Sequence, residues 1–233
     1  MTSYAERSTL IHFLLFYYLF NQAMDSIVIQ IASLHHVGYA HDISALIEES
    51  AKKRGTGIAK RSPSYIIQKI NERKAIIAVT RQGELVGFCY IESWGNTKYV
   101  ANSGLVIHHK FRNQGVAKKI KKLAFHHSIK MFPEAKLFGL TTSLPVMKIN
   151  SELGYEPVTF SELTDDDAFW KGCQSCVNYE ILQTKNRSNC LCTGMLYNPA
   201  VNKGKKKHFW NKSKWLSRWA TIKNKMGDNK LSI

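Results

Sequence analysis

Acidic residues are scarce in this sequence, and no apolar run in it is long enough to cross a membrane. Only 17 Asp and Glu stand against 33 Lys and Arg in 233 residues, a formal net charge of +16. Leu10–Phe20 is apolar apart from His12, but it is shorter than the roughly 20 residues that a membrane-spanning helix needs. Five prolines and 14 glycines exclude a collagen-like or low-complexity chain. Because 44% of the residues are apolar, the chain can bury a core.

The excess positive charge is concentrated towards the C-terminal end. Residues 201–233 carry ten Lys and Arg and one Asp, a net charge of +9, while the other residues share +7. We therefore expect three regions: an apolar extension over 1–23, one domain over 24–200 and a basic amphipathic tail over 201–233. The extension is expected to lie outside the fold, and the alternative is a membrane anchor. The tail carries a tryptophan stripe that is expected to pack on its own domain, and the alternative is contact with nucleic acid.

Apolar residues follow strand and helix periods in alternation, which is typical of an α/β layer fold. Three β-branched segments, separated by Gln82-Gly83 and Gly95-Asn96, predict antiparallel strands linked by hairpins. A long amphipathic helix is predicted from Gly115. Nearer the C-terminal end, Asp165-Asp166-Asp167 predicts the start of another helix, and Cys190–Tyr197 predicts a last strand.

The strongest chemical signal is the short basic loop before the long helix. The loop reads Arg112-Asn-Gln-Gly115-Val-Ala117 and follows a β-branched strand. A helix N-terminus presents unpaired backbone N–H groups and positive dipole, and glycine lets the backbone approach a ligand closely. These features predict an anion site, most simply for phosphate. Neither G-x-G-x-x-G nor G-x-x-x-x-G-K-[ST] is present, so the two common nucleotide motifs are excluded.

Here the sequence resembles the GNAT family of N-acetyltransferases. Arg112-Asn-Gln-Gly115-Val-Ala117 fits the family's R/Q-x-x-G-x-G/A motif for the pyrophosphate of acetyl-CoA, and Leu153-Gly154-Tyr155 fits its leucine-glycine-aromatic ending. The resemblance implies a mixed, mostly antiparallel sheet of six to seven strands that is flanked by helices and splayed at the acetyl-CoA site. The residues it assigns to the cofactor are Leu105, Val106, Ile107, Arg112, Asn113, Gln114, Gly115, Val116, Ala117 and Lys118.

The resemblance also implies catalytic groups. An acceptor amine, deprotonated by a base, would attack the thioester, and backbone N–H groups would stabilise the oxyanion. Glu92 is the candidate base, and the alternative is an exposed glutamate at a strand end. Asn150 occupies the position where many family members have a tyrosine as general acid. An amide cannot donate a proton as an acid, so its expected role is at most a hydrogen bond to the coenzyme.

The segment between the first two helices is expected to shape the acceptor site. Lys52–Arg61 holds five cations and two glycines in ten residues. Guanidinium groups bind carboxylates in a bidentate manner, so Arg54 and Arg61 predict an acidic amino-acid acceptor, with glutamate as the first choice. The resemblance extends to acetyltransferases of arginine biosynthesis, which implies a role in amino-acid metabolism. The alternative is a solvated basic loop.

Four of the five cysteines are clustered in two closely spaced pairs. An odd cysteine count without a convincing secretion signal favours a reducing cytoplasm. The spacing of the cluster predicts a structural zinc site, and buried free thiols or a redox pair are the alternatives. The four candidate ligands are Cys173, Cys176, Cys190 and Cys192.

Two functions are compatible with these patterns. The first is a cytoplasmic N-acetyltransferase that uses acetyl-CoA and acts on a small amine, with no nucleic acid as partner. The second is a zinc-containing binding module of the same fold that contacts nucleic acid through its basic tail. The phosphate motif favours the first.

Overall fold

The structure is a computed structural model that describes residues 27–54, 60–174 and 176–202. The extension 1–23, most of the tail 201–233 and the middle of the Lys52–Arg61 segment lie outside the described residues. Within the described part of the chain, no helix is both long and apolar enough to cross a bilayer.

Seven strands form one sheet in the order β1-β2-β3-β4-β5-β7-β6. All neighbouring strands are antiparallel except β4 and β5, which are parallel. The expected mixed, mostly antiparallel sheet is therefore confirmed. The strands are β1 (Ile27–Ile31), β2 (Ala75–Thr80), β3 (Leu85–Trp94), β4 (Tyr99–Ile107), β5 (Lys136–Thr141), β6 (Glu156–Val158) and β7 (Thr193–Tyr197).

Helices cover both faces of this sheet because side chains alternate between its faces along each strand. One face of β2, with Ile77 and Val79, packs on α1 and α2, and the other, with Ile76 and Ala78, packs on α3. The long helix α3 makes the crossover between the two parallel strands. The helices are α1 (Ala40–Arg54), α2 (Pro63–Asn71), α3 (Val116–Met131), α4 (Leu144–Glu152), α5 (Asp167–Lys171), α6 (Tyr179–Thr184) and α7 (Pro199–Asn202).

A smaller aromatic core covers one end of β5 and β7, and here one prediction is confirmed and one needs correction. The helix predicted to start at Asp165–Asp167 is present as α5. The acidic helix is short: Asp166 is its N-cap, because one carboxylate oxygen accepts from Ala168 N at 2.9 Å and the other from Gly95 N at 2.8 Å. The last strand begins at Thr193 and not at Cys190, because Thr193 pairs with Thr141, where β5 ends. Cys190 and Cys192 therefore precede the strand.

Candidate active site

The two parallel strands separate after a short stretch of pairing. Tyr99–Ala101 of β4 pairs with Lys136–Phe138 of β5, but β4 runs on to Ile107 and β5 to Thr141. The separated residues are partly exposed over Ser103–Leu105 and Gly139–Thr141. Peptide groups on these two edges are available to a ligand, so the opening between β4 and β5 is the candidate site.

A β-bulge shapes the β4 side of this opening. Phe88 pairs with Val106 but Tyr90 pairs with Ser103, so β4 has one extra residue at this point. Gly104 lies in the bulge with φ +63°, and a Cβ on it would come within 2.4 Å of the Tyr90 ring. Only glycine fits here. A glycine inside a strand pattern is the sequence signal for such a bulge, but the bulge is not among the predicted features.

Beyond the opening, the loop after β4 forms a cradle of unpaired backbone N–H groups. Asn113 and Gly115 both have positive φ, +61° and +74°. The first bond of α3 to the loop runs from Lys119 N to Gly115 O at 3.2 Å. None of the backbone N–H groups of residues 113–118 has an acceptor among the described residues. This arrangement suits a phosphate.

The side chains of the loop are largely engaged within the protein. Arg112 Nε donates to Ile107 O at 3.1 Å and so fastens the loop to the end of β4. Gln114 donates to Lys110 O at 3.2 Å, and Lys118 pairs with the exposed Glu152 at 2.7 Å. Of the strand residues assigned to the coenzyme, Leu105 borders the opening, while Val106 and Ile107 are buried. The cradle therefore rests on backbone more than on cationic side chains.

On the other side of the bulge, the phenol oxygen of Tyr90 binds an arginine side chain. Arg61 Nε donates to Tyr90 Oη at 2.8 Å, and the guanidinium lies 5.0 Å from the centre of the Tyr65 ring. A second donor, Nη1, contacts Lys60 O at 2.9 Å. No carboxylate in the described part of the chain pairs with Arg61. The side chain of Arg54 lies outside what the structure describes.

Glu92 lies in the same cluster and is held by two residues of α2. Tyr65 Oη donates to one carboxylate oxygen, and Lys69 Nζ lies 2.9 Å from the other. Burial, the neighbouring Tyr90 and the hydrogen bond to Glu92 raise the pKa of Tyr65, so its phenol stays protonated. Glu92 is therefore no free surface glutamate. Tyr65 and Lys69 are not predicted from the sequence as its partners.

Asn150, which the family resemblance places where many members have a tyrosine, is buried. It is 1% exposed, its Nδ2 lies 3.7 Å from Met195 Sδ, and its Oδ1 has no partner among the described residues. Its side chain lies against Gly139 on β5. Without an acidic proton, Asn150 cannot act as the general acid.

The four clustered cysteines are all free, and they border a single cavity of about 80 Å³. Burial and neighbouring thiols raise the pKa of Cys173 to about 11 and that of Cys192 to about 12. Across the described ranges, no three His, Cys, Asp or Glu side chains are arranged to hold a metal ion. The arrangement of these side chains does not by itself support the expected zinc.

Comparison with known proteins finds one family model that matches part of the chain. Residues 42–143 match the family model described as "Acetyltransferase (GNAT) family". This match includes most of α1, all of α2, the bulge and the cradle. A search of curated protein sequences gave no match.

Solved structures share the fold at low sequence identity. N-acetylglutamate synthase from Neisseria gonorrhoeae, complexed with coenzyme A and N-acetyl-glutamate, is 17% identical with a TM-score of 0.53, over 74% of this chain and 35% of that one. A GNAT acetyltransferase from Staphylococcus aureus Mu50 is 13% identical with a TM-score of 0.53, over 74% and 99%. A phosphinothricin acetyltransferase from Sinorhizobium meliloti, in complex with acetyl-CoA, is 12% identical with a TM-score of 0.50, over 74% and 88%.

These likenesses show the fold, and our chain spans about a third of the length of the Neisseria synthase chain. The family match, the sheet that opens between β4 and β5, and the cradle before α3 agree with one another. The likeness to the GNAT acetyltransferase family thus covers residues 42–143, and the fold around them is the one that the solved structures share.

Proposed function

We propose that this protein transfers an acetyl group from acetyl-CoA to the amine of a small acceptor that carries a carboxylate, with glutamate as the first candidate. The observation that carries the proposal is one run of contacts. Gly104 borders the opening, the Tyr90 ring lies on Gly104, and Tyr90 binds Arg61. This run joins the expected coenzyme site to a guanidinium without a carboxylate partner among the described residues.

The opening between β4 and β5 and the cradle before α3 support the binding of the donor, acetyl-CoA. A pantetheine arm has amide groups that can pair with the free edges of β4 and β5 beyond Ala101 and Phe138. The pyrophosphate would bind the unpaired N–H groups of residues 113–118, where the helix dipole also favours negative charge. Acetyl-CoA or coenzyme A is present in the Neisseria and Sinorhizobium structures.

The acceptor side is supported by the environment of Arg61. Among the described residues, two of its five N–H groups have an acceptor in the hydrogen bonds to Tyr90 and Lys60, so up to three can turn to an incoming carboxylate. The rings of Tyr65 and Tyr90 lie at 5.0 and 5.7 Å from the guanidinium and restrain it. A half-buried, pre-oriented guanidinium binds carboxylate more strongly than a solvated one. N-acetyl-glutamate is bound in the Neisseria structure, which is consistent with an amino-acid acceptor.

The reaction would use groups of this same cluster. The amine nitrogen attacks the thioester carbonyl, the N–C bond forms, and the C–S bond then breaks. Glu92 would accept the amine proton, directly or through one water, since its carboxylate is oriented by Tyr65 and Lys69. Backbone N–H groups at the opened edge of β4 would stabilise the oxyanion. A thiol pKa of about 8.5 lets the thiolate leave without a general acid, so Asn150 need not supply one.

The proposal is tested by incubating the full chain with acetyl-CoA and a mixture of the twenty amino acids, followed by mass spectrometry. One acidic amino acid should gain an acetyl group in step with coenzyme A release. Acetylation of no amino acid, with turnover of a polyamine or a peptide instead, would refute the acceptor and leave the family assignment intact.

A further inference from the structure

One lysine of α3 points into the core of the domain. Lys121 is 2% exposed, whereas Lys119 and Lys122 beside it on the helix are exposed. The other buried lysine among the described residues is Lys69, which is paired with Glu92. Lys121 has no carboxylate partner in the described part of the chain. A buried amine without a counter-charge destabilises the folded state, so its presence needs an explanation.

The amine of Lys121 contacts β4 at the point where this strand loses its partner. Nζ donates to Asn102 O at 3.1 Å. Asn102 lies opposite Ile91, whose N–H donates to Lys74 O on the β2 side, so the backbone groups of the two paired residues face away from each other. The Asn102 carbonyl therefore faces β5, but the pairing of β4 with β5 ends at Ala101. Lys121 supplies the donor that a longer ladder would have supplied.

The next carbonyl of β4 also accepts a hydrogen bond from a core side chain. Cys89 Sγ donates to Ser103 O at 3.3 Å. Cys89 is the β3 residue at which the pairing with β4 shifts, so it lies opposite the bulge. Burial raises the pKa of Cys89 to about 11, and the donor is a neutral thiol. Two successive carbonyls before Gly104 are thus bound from the core.

The surroundings of the Lys121 amine do not balance a positive charge. The ring of Tyr155 lies 5.7 Å from Nζ. Burial raises the pKa of Tyr155 and of Cys89, so both of these titratable neighbours are neutral, and burial lowers the pKa of Lys121 itself. An apolar side chain in place of such a group is often neutral or stabilising for the fold. A residue that lowers stability is typical of a functional site.

We propose that Lys121 is a positioning residue for acetyl transfer. It binds Asn102 O where β4 leaves β5, and so holds the edge of β4 and the bulge at Gly104 in the place that the thioester needs. Lys121 contacts no reacting atom and acts through the β4 backbone. The inference rests on the proposed function only in that acetyl-CoA is the donor, and it does not depend on which amine is the acceptor.

Lys121→Met tests this role, because methionine keeps an unbranched apolar chain and removes the donor. We expect a urea midpoint at or above that of the wild type, a kcat roughly 10- to 100-fold lower, and a nearly unchanged Kd for coenzyme A. Lys122→Met makes the same charge change on the exposed face of the helix and is the matched control. A kcat equal to that of the control would overturn the proposal. So would a variant less stable than the wild type, since the lysine would then serve the fold.

Hydrogen exchange measured by mass spectrometry separates this role from the question of the acceptor. With saturating coenzyme A, peptides that cover residues 99–107 should exchange faster in Lys121→Met than in Lys122→Met, because a bond to the β4 backbone is lost. Equal exchange of β4 in the two variants would overturn the proposal. Acetylation of an amine that is not an acidic amino acid would refute the proposed acceptor, and kcat would then be compared with that amine.

Discussion

Arg61 donates a hydrogen bond from Nε to the phenol oxygen of Tyr90 at 2.8 Å, and the ring of Tyr90 lies on the β-bulge of β4. These residues are 29 positions apart in the chain. Their contact links the segment before α2 to the strand that borders the opening proposed for the coenzyme. An amine can attack a thioester only if the two molecules are bound side by side. The proposed acceptor position at Arg61 and the proposed donor position at the opening meet this need.

Arg61→Ala should raise the KM for a carboxylate acceptor by roughly 10- to 100-fold, because charged hydrogen bonds to the carboxylate are lost. The KM for acetyl-CoA should change little. Steady-state kinetics with the acceptor varied measures the effect, and Arg81→Ala, an exposed arginine in the turn before β3, is the matched control. Equal acceptor KM values for the two variants would show that Arg61 binds no carboxylate.

Gly104→Ala should abolish most activity, because the new Cβ would overlap the Tyr90 ring and φ +63° disfavours alanine. A residue forced into such a conformation costs about 1–3 kcal/mol. Gly83→Ala is the control, since Gly83 also has positive φ but its Cβ would meet only Tyr39 Oη at 3.3 Å. Compared with Gly83→Ala, Gly104→Ala should show a lower free energy of unfolding in denaturant and a slower turnover. Full activity in Gly104→Ala is incompatible with the bulge described for β4.

Gly115→Ala should weaken the cradle through its backbone, because there is open space for the Cβ but φ is +74°. The expected effect is a rise of roughly tenfold in the KM for acetyl-CoA. The KM for S-acetyl-pantetheine, which lacks the pyrophosphate, should stay nearly constant. A parallel rise for both donors would mean that the loop does not bind the pyrophosphate.

Glu92→Gln should lower kcat by about 10²- to 10⁴-fold if its carboxylate takes the amine proton. The amide oxygen can still accept from Lys69, and the amide NH2 can donate to Tyr65 Oη, so the fold should be kept. Glu84→Gln, an exposed glutamate beside β3, controls for the charge change. Rates measured across pH show whether the Glu92→Gln loss persists; a kcat equal to that of Glu84→Gln assigns the base elsewhere.

Local sequence patterns were enough to predict the sheet and the helix that begins after Gly115. Glycine at 115 and the β-branched strand before it act on their immediate neighbours, so their signal is short-range. The contacts of Tyr65 with Glu92 and of Arg61 with Tyr90 join residues 27 and 29 positions apart. No periodic pattern of apolar residues indicates which distant side chains will meet, so these two pairs could not be predicted from the sequence.

The region after β6 was the least predictable for a related reason. Cys190–Tyr197 has the composition of a strand, but a strand continues only as far as its partner does, and β5 ends at Thr141. The acidic run at Asp165–Asp167 was correctly taken as a helix start, yet Asp166 also binds Gly95 N from the β3–β4 turn. Such tertiary contacts decide where the short elements begin.

The central claim is that acetyl transfer here requires a carboxylate on the acceptor. The most direct measurement compares coenzyme A release from acetyl-CoA with glutamate and with glutamate diamide, in which both carboxylates are replaced by neutral amides, in wild type and Arg61→Ala. We predict fast release with glutamate, slow release with the diamide, and slow release with both in the variant. Equal rates for the two amines in the wild type would contradict the account.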